Sequence, residues 1–168
     1  AHVHVHNLEM KDFSRDYAIS AEVLPVDFVD PEKRETFQGI LRADGRVATR
    51  NYLAVLATVN CSAGVARLIA DSIKPDELAK YPNLDGIAAL GHGTGCGMQQ
   101  DGEGILNLRR VLAGYARHPN FAGVLVLGLG CENNQIDTLC QLMDLAPGPK
   151  LHFLNIQDAG GTEGAIKR

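Results

Sequence analysis

Three of the four cysteines follow one another at equal intervals, which suggests shared chemistry. Cys61, Cys96 and Cys131 are each separated from the next by 35 residues. Thiolates are soft ligands that select iron–sulfur clusters, zinc or copper(I), and three of them leave a coordination position open for a substrate. No CxxC pair is present, which excludes zinc-ribbon and bacterial ferredoxin patterns. The alternative is that small cysteines merely fit crowded glycine turns.

The second of these cysteines lies in the glycine-rich segment "LGHGTGCGMQQDGEG", residues 90–104. Glycine at this density indicates a tight turn or the close approach of a ligand to the backbone. Alternating glycines before a helix also occur in dinucleotide sites, but there they follow the first strand of the unit. Here the first predicted strand ends in "TVNCSAG", which lacks that pattern. The segment therefore favours a metal site over a nucleotide site.

The loops that carry the cysteines also contain side chains for proton transfer and hydrogen bonding. His92 and Glu132 are the candidate catalytic acid or base; a hydrogen-bonded loop histidine and a helix-start glutamate are the alternatives. The candidates for substrate binding are Asn60, Ser62, Thr94, Asn133 and Gln135. Cys140 differs, because it lies on the apolar stripe of a predicted helix, as a core residue would.

Hydrophobic patterning predicts the elements that position these residues. Strands are predicted over residues 52–59, 85–91, 121–130 and 150–156, and apolar side chains recur at helical spacing between them. Such alternation implies right-handed crossovers and an α/β fold, a Rossmann-like parallel sheet of about four strands with helices on both faces. The carboxyl ends of parallel strands share one edge. Cys61, Cys96 and Cys131 are therefore expected to converge there. Arg46 and Arg50 should lie nearer the opposite edge, in structural ion pairs, with bidentate binding of a carboxylate as the alternative.

The chain is predicted to divide near residue 36. Residues 1–36 are interpreted as the end of an N-terminal domain and a linker, and residues 37–168 as a second domain. His2, His4 and His6 share one face of a predicted strand, where a metal site is a weaker alternative. The net charge of −4 and the lack of an apolar run of ~20 residues argue against nucleic-acid and membrane partners. Four cysteines without a disulfide pattern suggest the cytoplasm.

Four segments, "DGRVATRNYLAVLATVNCSA", "GHGTGCGM", "RHPNFAGVLVLGLGCENNQ" and "NIQDAGGT", closely resemble the second domain of the altronate dehydratase and galactarate dehydratase family. The leading "HVHVHNL" resembles the end of that family's small N-terminal domain, and the large C-terminal domain is absent. The resemblance implies a hydro-lyase that removes water from a sugar acid, altronate above all, to give a 2-keto-3-deoxy acid. It also implies iron, as Fe²⁺ or an iron–sulfur cluster, with manganese as an alternative. Ala48 departs from the glycine expected there.

The resemblance leaves the leaving group and the role of this chain open. A related sulfo-lyase that acts on sulfolactate shares the architecture. The implied partners are the sugar-acid substrate, the remaining domains of the full-length enzyme and further copies in a homo-oligomer, and the chain alone is expected to be inactive. A scaffold domain that only supports the catalytic domain and oligomerisation is the second function class. Glycine and cysteine concentrated at strand ends favour catalysis, because a scaffold needs no polar edge lined by glycine.

Overall fold

The computed structural model describes residues 24–168. The predicted N-terminal strand, with His2, His4 and His6, lies outside the described residues. The chain divides into two units, residues 1–36 and residues 37–168. In the described part of the first unit, the single regular element is a 3₁₀ turn at Pro31–Lys33. Lys33 in this turn pairs with Asp30 at 3.0 Å.

The second unit begins with a small antiparallel hairpin. Strands β1 (Ile40–Leu41) and β2 (Val47–Ala48) pair with each other, and the predicted Asp44–Gly45 turn connects them. Arg46 pairs with Asp44 at 2.6 Å, which confirms the structural ion pair expected for Arg46. Arg50 instead donates a hydrogen bond to the backbone oxygen of Thr49. Both arginines precede the main sheet, away from the carboxyl ends of its strands.

The main sheet has four parallel strands, as the patterning predicts. They are β3 (Tyr52–Ala57), β4 (Gly86–Leu90), β5 (Phe121–Gly128) and β6 (Leu151–Asn155), in the spatial order β4-β3-β5-β6. The central strands β3 and β5 carry most of the sheet's buried side chains. This explains why their sequences are apolar on both faces.

Helices cover both faces of the sheet, which confirms the predicted architecture. The helices are α1 (Asn60–Ser72), α2 (Pro75–Leu78), α3 (Glu103–Ala116), α4 (Ile136–Met143) and α5 (Thr162–Lys167). Helices α3 and α4 pack on the face formed by alternate residues such as Leu56 and Val126. Helices α1 and α5 pack on the opposite face, against Val55 and Leu127. The short helix α2 was not predicted.

Two central strands end earlier than predicted. Strand β3 ends at Ala57 and strand β5 at Gly128, each two residues before its predicted end. The backbone N–H groups of Leu129 and Gly130, just beyond β5, donate to the carboxylate of Glu132.

Among residues 24–168, no helix is long and apolar enough to cross a membrane.

Candidate functional site

The order of the strands reverses between β3 and β5. From β3 the chain crosses to β4 on one side of the sheet, and from β5 it crosses to β6 on the other. In open parallel sheets, ligands bind in the crevice outside the carboxyl ends of the strands at such a reversal. Cys61 follows β3 and Cys131 follows β5, so these two cysteines flank the crevice. We call residues 58–62, 91–102 and 129–135 the carboxyl edge.

The three predicted thiols come together at the carboxyl edge. Cys61, Cys96 and Cys131 are free and exposed. Partial desolvation raises the pKa of Cys61, and its neighbours Cys96, Cys131 and Glu132 raise it further. The Cys61 thiol itself donates to Oδ1 of Asn60 at 3.7 Å. No three His, Cys, Asp or Glu side chains within residues 24–168 form a ready-made metal site, so the thiols converge without reaching coordination geometry.

The glycine-rich loop packs against the chain's own backbone at one point. The carbonyl of Thr94 accepts a hydrogen bond of 2.7 Å from the N–H of Asn60, the first residue of α1. The next residue, Gly95, is buried with φ +104°, and a Cβ there would lie 3.0 Å from Cα of Val59. Glycine is therefore required at 95 by a contact between the loops after β3 and β4. Gly97 also has a positive φ of +68° but faces open space.

His92 is held by hydrogen bonds at both ring nitrogens. Its Nε2 lies 3.1 Å from the carbonyl of Ala57, which can only accept, so Nε2 carries the proton. Its Nδ1 then accepts from the hydroxyl of Thr94 at 3.0 Å and from the backbone N–H of the same residue at 3.3 Å. The ring thus fastens the loop that carries Cys96 to the end of β3. The catalytic role of His92 stays a prediction.

Glu132 is buried, with 4% of its surface exposed, and three donors bind its carboxylate. They are the hydroxyl of Thr58 at 2.7 Å and the backbone N–H groups of Leu129 at 3.0 Å and Gly130 at 2.7 Å. Burial alone would raise the pKa of Glu132, but these hydrogen bonds outweigh burial and lower it. The carboxylate therefore stays ionised and fixes the loop that carries Cys131. Its role as an acid or base stays a prediction.

The five residues predicted to bind substrate differ in what they expose. Asn60 and Thr94 are exposed at the carboxyl edge, and Asn133 and Gln135 are half-buried there. Ser62 is fully buried, and its hydroxyl donates to the carbonyl of Val59 at 3.0 Å. The structure thus brings the first four to the edge and leaves Ser62 beneath it. Cys140 is half-buried and packs against the core of the α3–α4 face.

Comparison with known proteins identifies the family. The family model described as "D-galactarate dehydratase/Altronate hydrolase, second domain" matches residues 39–168. The chain belongs to this family. No solved structure matches this second domain.

Curated relatives of this second domain carry dehydratase names. The chain is 35% identical over 159 residues to "Altronate dehydratase" of Escherichia coli (strain K12), and 33% identical over 158 residues to "Altronate dehydratase" of Bacillus subtilis (strain 168); each alignment covers 93% of the chain. It is 40% identical over 110 residues, 65% of the chain, to "Galactarate dehydratase (L-threo-forming)" of Escherichia coli (strain K12). The aligned regions span 31%, 31% and 21% of the three relatives.

A buried polar cluster supports the carboxyl edge of this second domain, and sequence reasoning missed three of its members. Thr58 binds Glu132, and the carbonyl of Thr58 accepts from Nδ2 of Asn134 at 3.3 Å. Oδ1 of Asn134 in turn accepts from Nε of Arg109 at 3.2 Å. Only Arg109 could be noticed in the sequence, because it is a charged residue on the apolar face of the amphipathic helix α3.

Proposed function

We propose that the protein carrying this chain is a sugar-acid hydro-lyase that uses a metal held at the carboxyl edge. The observation that carries the proposal is the convergence of Cys61, Cys96 and Cys131 beside the point where the strand order reverses. A domain that only supports its neighbours would not need three exposed thiols at that crevice. Membership of the galactarate dehydratase/altronate hydrolase family supports the reaction class.

Altronate is the proposed substrate, and a 2-keto-3-deoxygluconate and water are the products. The two relatives named altronate dehydratase align with 93% of the chain, whereas the galactarate dehydratase aligns with 65%. Galactarate dehydration and sulfolactate cleavage are the alternatives of the same architecture. A hydroxy acid loses water when a base removes the proton α to the carboxylate and the hydroxyl group departs from the β carbon.

By ligand type, the thiols at the carboxyl edge suit iron. Three thiolates are soft ligands that suit iron or an iron–sulfur cluster better than manganese, which prefers oxygen ligands. Thiols lose their protons when they bind a metal, and Cys61, Cys96 and Cys131 are all accessible for that exchange. When bound, the metal would supply a Lewis acid for the departing hydroxyl group.

The chain's own residues would position the cysteines and bind the substrate. His92 holds the loop of Cys96, and Glu132 holds the loop of Cys131, through the hydrogen bonds described above. The exposed Asn60 and Thr94 and the half-buried Asn133 and Gln135 offer polar groups to the hydroxyls of a sugar acid. We further propose that additional domains of the protein complete the site, that the protein forms a homo-oligomer, and that it acts in the cytoplasm.

The test is an activity measurement on the full-length protein purified anaerobically with iron. We expect formation of a keto acid from altronate, faster than from galactarate or sulfolactate, and loss of that activity after treatment with an iron chelator. A matched preparation in which Cys61 is replaced by serine should lose activity, whereas Cys140→Ser should keep it. A scaffold role would instead leave the rate unchanged in the Cys61, Cys96 and Cys131 variants.

A further inference from the structure

Arg109 is a buried cation with no matching anion in the described part of the chain. Only 6% of its surface is exposed, and its single hydrogen bond there runs from Nε to Asn134 at 3.2 Å. None of the ion pairs formed by residues 24–168 includes Arg109. Burial of a charge is costly unless the charge is paired. The four remaining N–H bonds of the guanidinium have no acceptor within residues 24–168, and the terminal nitrogens keep some access to solvent, so an anion from outside the described residues can reach them.

Arg109 lines a polar cleft at the carboxyl edge. The cleft has a volume of about 460 Å³ and is lined by Arg109 together with Gln100, Asp101, Cys131, Asn133, Gln135 and Thr138. Asp101 contributes one carboxylate to this lining, and the carboxylate of Glu132 also borders the cleft. The carboxylate of Glu132 is already bound by Thr58, Leu129 and Gly130, so its oxygens are committed elsewhere. Asp101 is exposed to solvent.

We propose that Arg109 binds the carboxylate of the sugar acid in this cleft. The inference rests on the proposed function and adds the substrate-binding residue for the acid group. A guanidinium presents a planar pair of donors that matches a carboxylate in bidentate geometry. The amide N–H groups of Asn133 and Gln135 already donate to backbone carbonyls. Their amide oxygens and the hydroxyl of Thr138 are the groups available to the hydroxyl groups of the same molecule. Cys131 lines the same cleft, so an acid held by Arg109 lies next to one of the three thiols.

A carboxylate from another part of the full-length protein could also pair with Arg109, and the experiment distinguishes the two cases. Binding of altronate to the full-length protein is measured by calorimetry for the wild type, Arg109→Gln, Arg109→Lys and the control Arg110→Gln. Arg110 is the next residue of α3, is exposed and donates a hydrogen bond to Asn107. The uncharged polyol altritol serves as a second ligand without a carboxylate.

We expect Arg109→Gln to weaken altronate binding about 10- to 100-fold, the value of one charge-assisted bidentate contact. Arg109→Lys keeps the charge but not the planar pair of donors, so it should bind with intermediate affinity. Altritol binding should be the same in all four proteins, and Arg110→Gln should behave as the wild type. Unchanged altronate binding in Arg109→Gln, with or without lower stability, would overturn the inference and indicate a protein carboxylate as the partner.

Turnover separates this inference from the proposed function. If the wild type binds altronate through Arg109 but forms no keto acid, the proposed hydro-lyase activity fails and the carboxylate site stands. If the wild type forms keto acid and Arg109→Gln keeps its KM, the carboxylate site fails and the activity stands. Should Arg109→Gln fail to fold, Arg109→Lys decides alone, and wild-type affinity in that variant would overturn the inference. A wild type that binds no altronate would overturn it as well.

Discussion

Replacing Glu132 by glutamine tests whether a buried carboxylate holds the carboxyl edge together. The substitution keeps the shape of the side chain but turns one acceptor oxygen into an NH₂ donor. Both oxygens of Glu132 receive hydrogen bonds, Oε1 from Thr58 and Leu129, and Oε2 from Gly130. In either orientation of the amide, at least one of these donors therefore faces another donor. The side chain is only 4% exposed, so water does not readily replace the lost contact.

The expected cost follows from these contacts. A hydrogen bond to a charged group contributes about 1.5–3 kcal/mol, and a buried donor left without a partner costs about 1–3 kcal/mol. Because the glutamine also relieves the burial of a charge, we expect Glu132→Gln to lower the free energy of unfolding by about 2–4 kcal/mol. The matched control is Glu77→Gln, since Glu77 is exposed in the short helix α2. Its effect should stay within about 0.5 kcal/mol.

Urea unfolding followed by circular dichroism, with a metal chelator present, measures both variants. The pKa of Glu132 is lowered in the folded protein, so its stabilising contribution is present above the ordinary glutamate pKa of about 4.3. That contribution is lost as the pH falls through the lower pKa of the folded state. The difference between wild type and Glu132→Gln should therefore be largest at pH 6–7 and shrink below about pH 4. Equal stabilities of Glu132→Gln and Glu77→Gln at neutral pH would refute the reasoning.

Three further predictions concern the fold and the extent of the active unit. Gly95→Ala should destabilise the chain by about 1–3 kcal/mol, because an alanine at φ +104° is strained and its Cβ meets Val59; Gly97→Ala, in open space, should cost less in the same unfolding assay. Leu139→Ala, fully buried on α4, should cost about 2–5 kcal/mol, whereas Leu142→Ala on the same helix, 55% exposed, should cost less than about 0.5 kcal/mol; equal costs would contradict the assigned core. The 168-residue chain alone should form no keto acid from altronate, since the curated relatives extend well beyond it, and turnover by the isolated chain would show that it carries the complete site.

The sheet could be predicted from the sequence because hydrophobic periodicity is a local signal. The apolar runs of β3 and β5 and the apolar stripes of α3 and α4 each lie within one segment, so their type and order follow from patterning. The convergence of Cys61, Cys96 and Cys131 could also be predicted, because parallel strands place all their carboxyl ends at one edge. Neither inference required knowledge of which strands are neighbours.

The hydrogen bonds of the carboxyl edge could not be predicted, because they join residues far apart in the chain. Thr58 contacts Glu132 across 74 positions, and nothing in either local sequence indicates the partner. The same reason hides the cluster of Asn134 and Arg109. Gly95 shows a second limit, since a glycine at positive φ gives no indication whether a ligand or the chain's own backbone lies against it. In this structure Val59, in the loop after β3, lies against Gly95.

X-ray absorption at the iron edge of the anaerobically prepared full-length protein tests the central claim most directly, because it reports which atoms bind the metal. Thiolate ligation of iron by Cys61, Cys96 and Cys131 predicts a shell of sulfur neighbours at about 2.3 Å, a typical metal–thiolate distance. That shell should diminish in each of the three cysteine-to-serine variants and persist in Cys140→Ser. Iron surrounded only by nitrogen and oxygen neighbours, with the same spectrum in all four variants, would contradict the account and place the metal in another part of the protein.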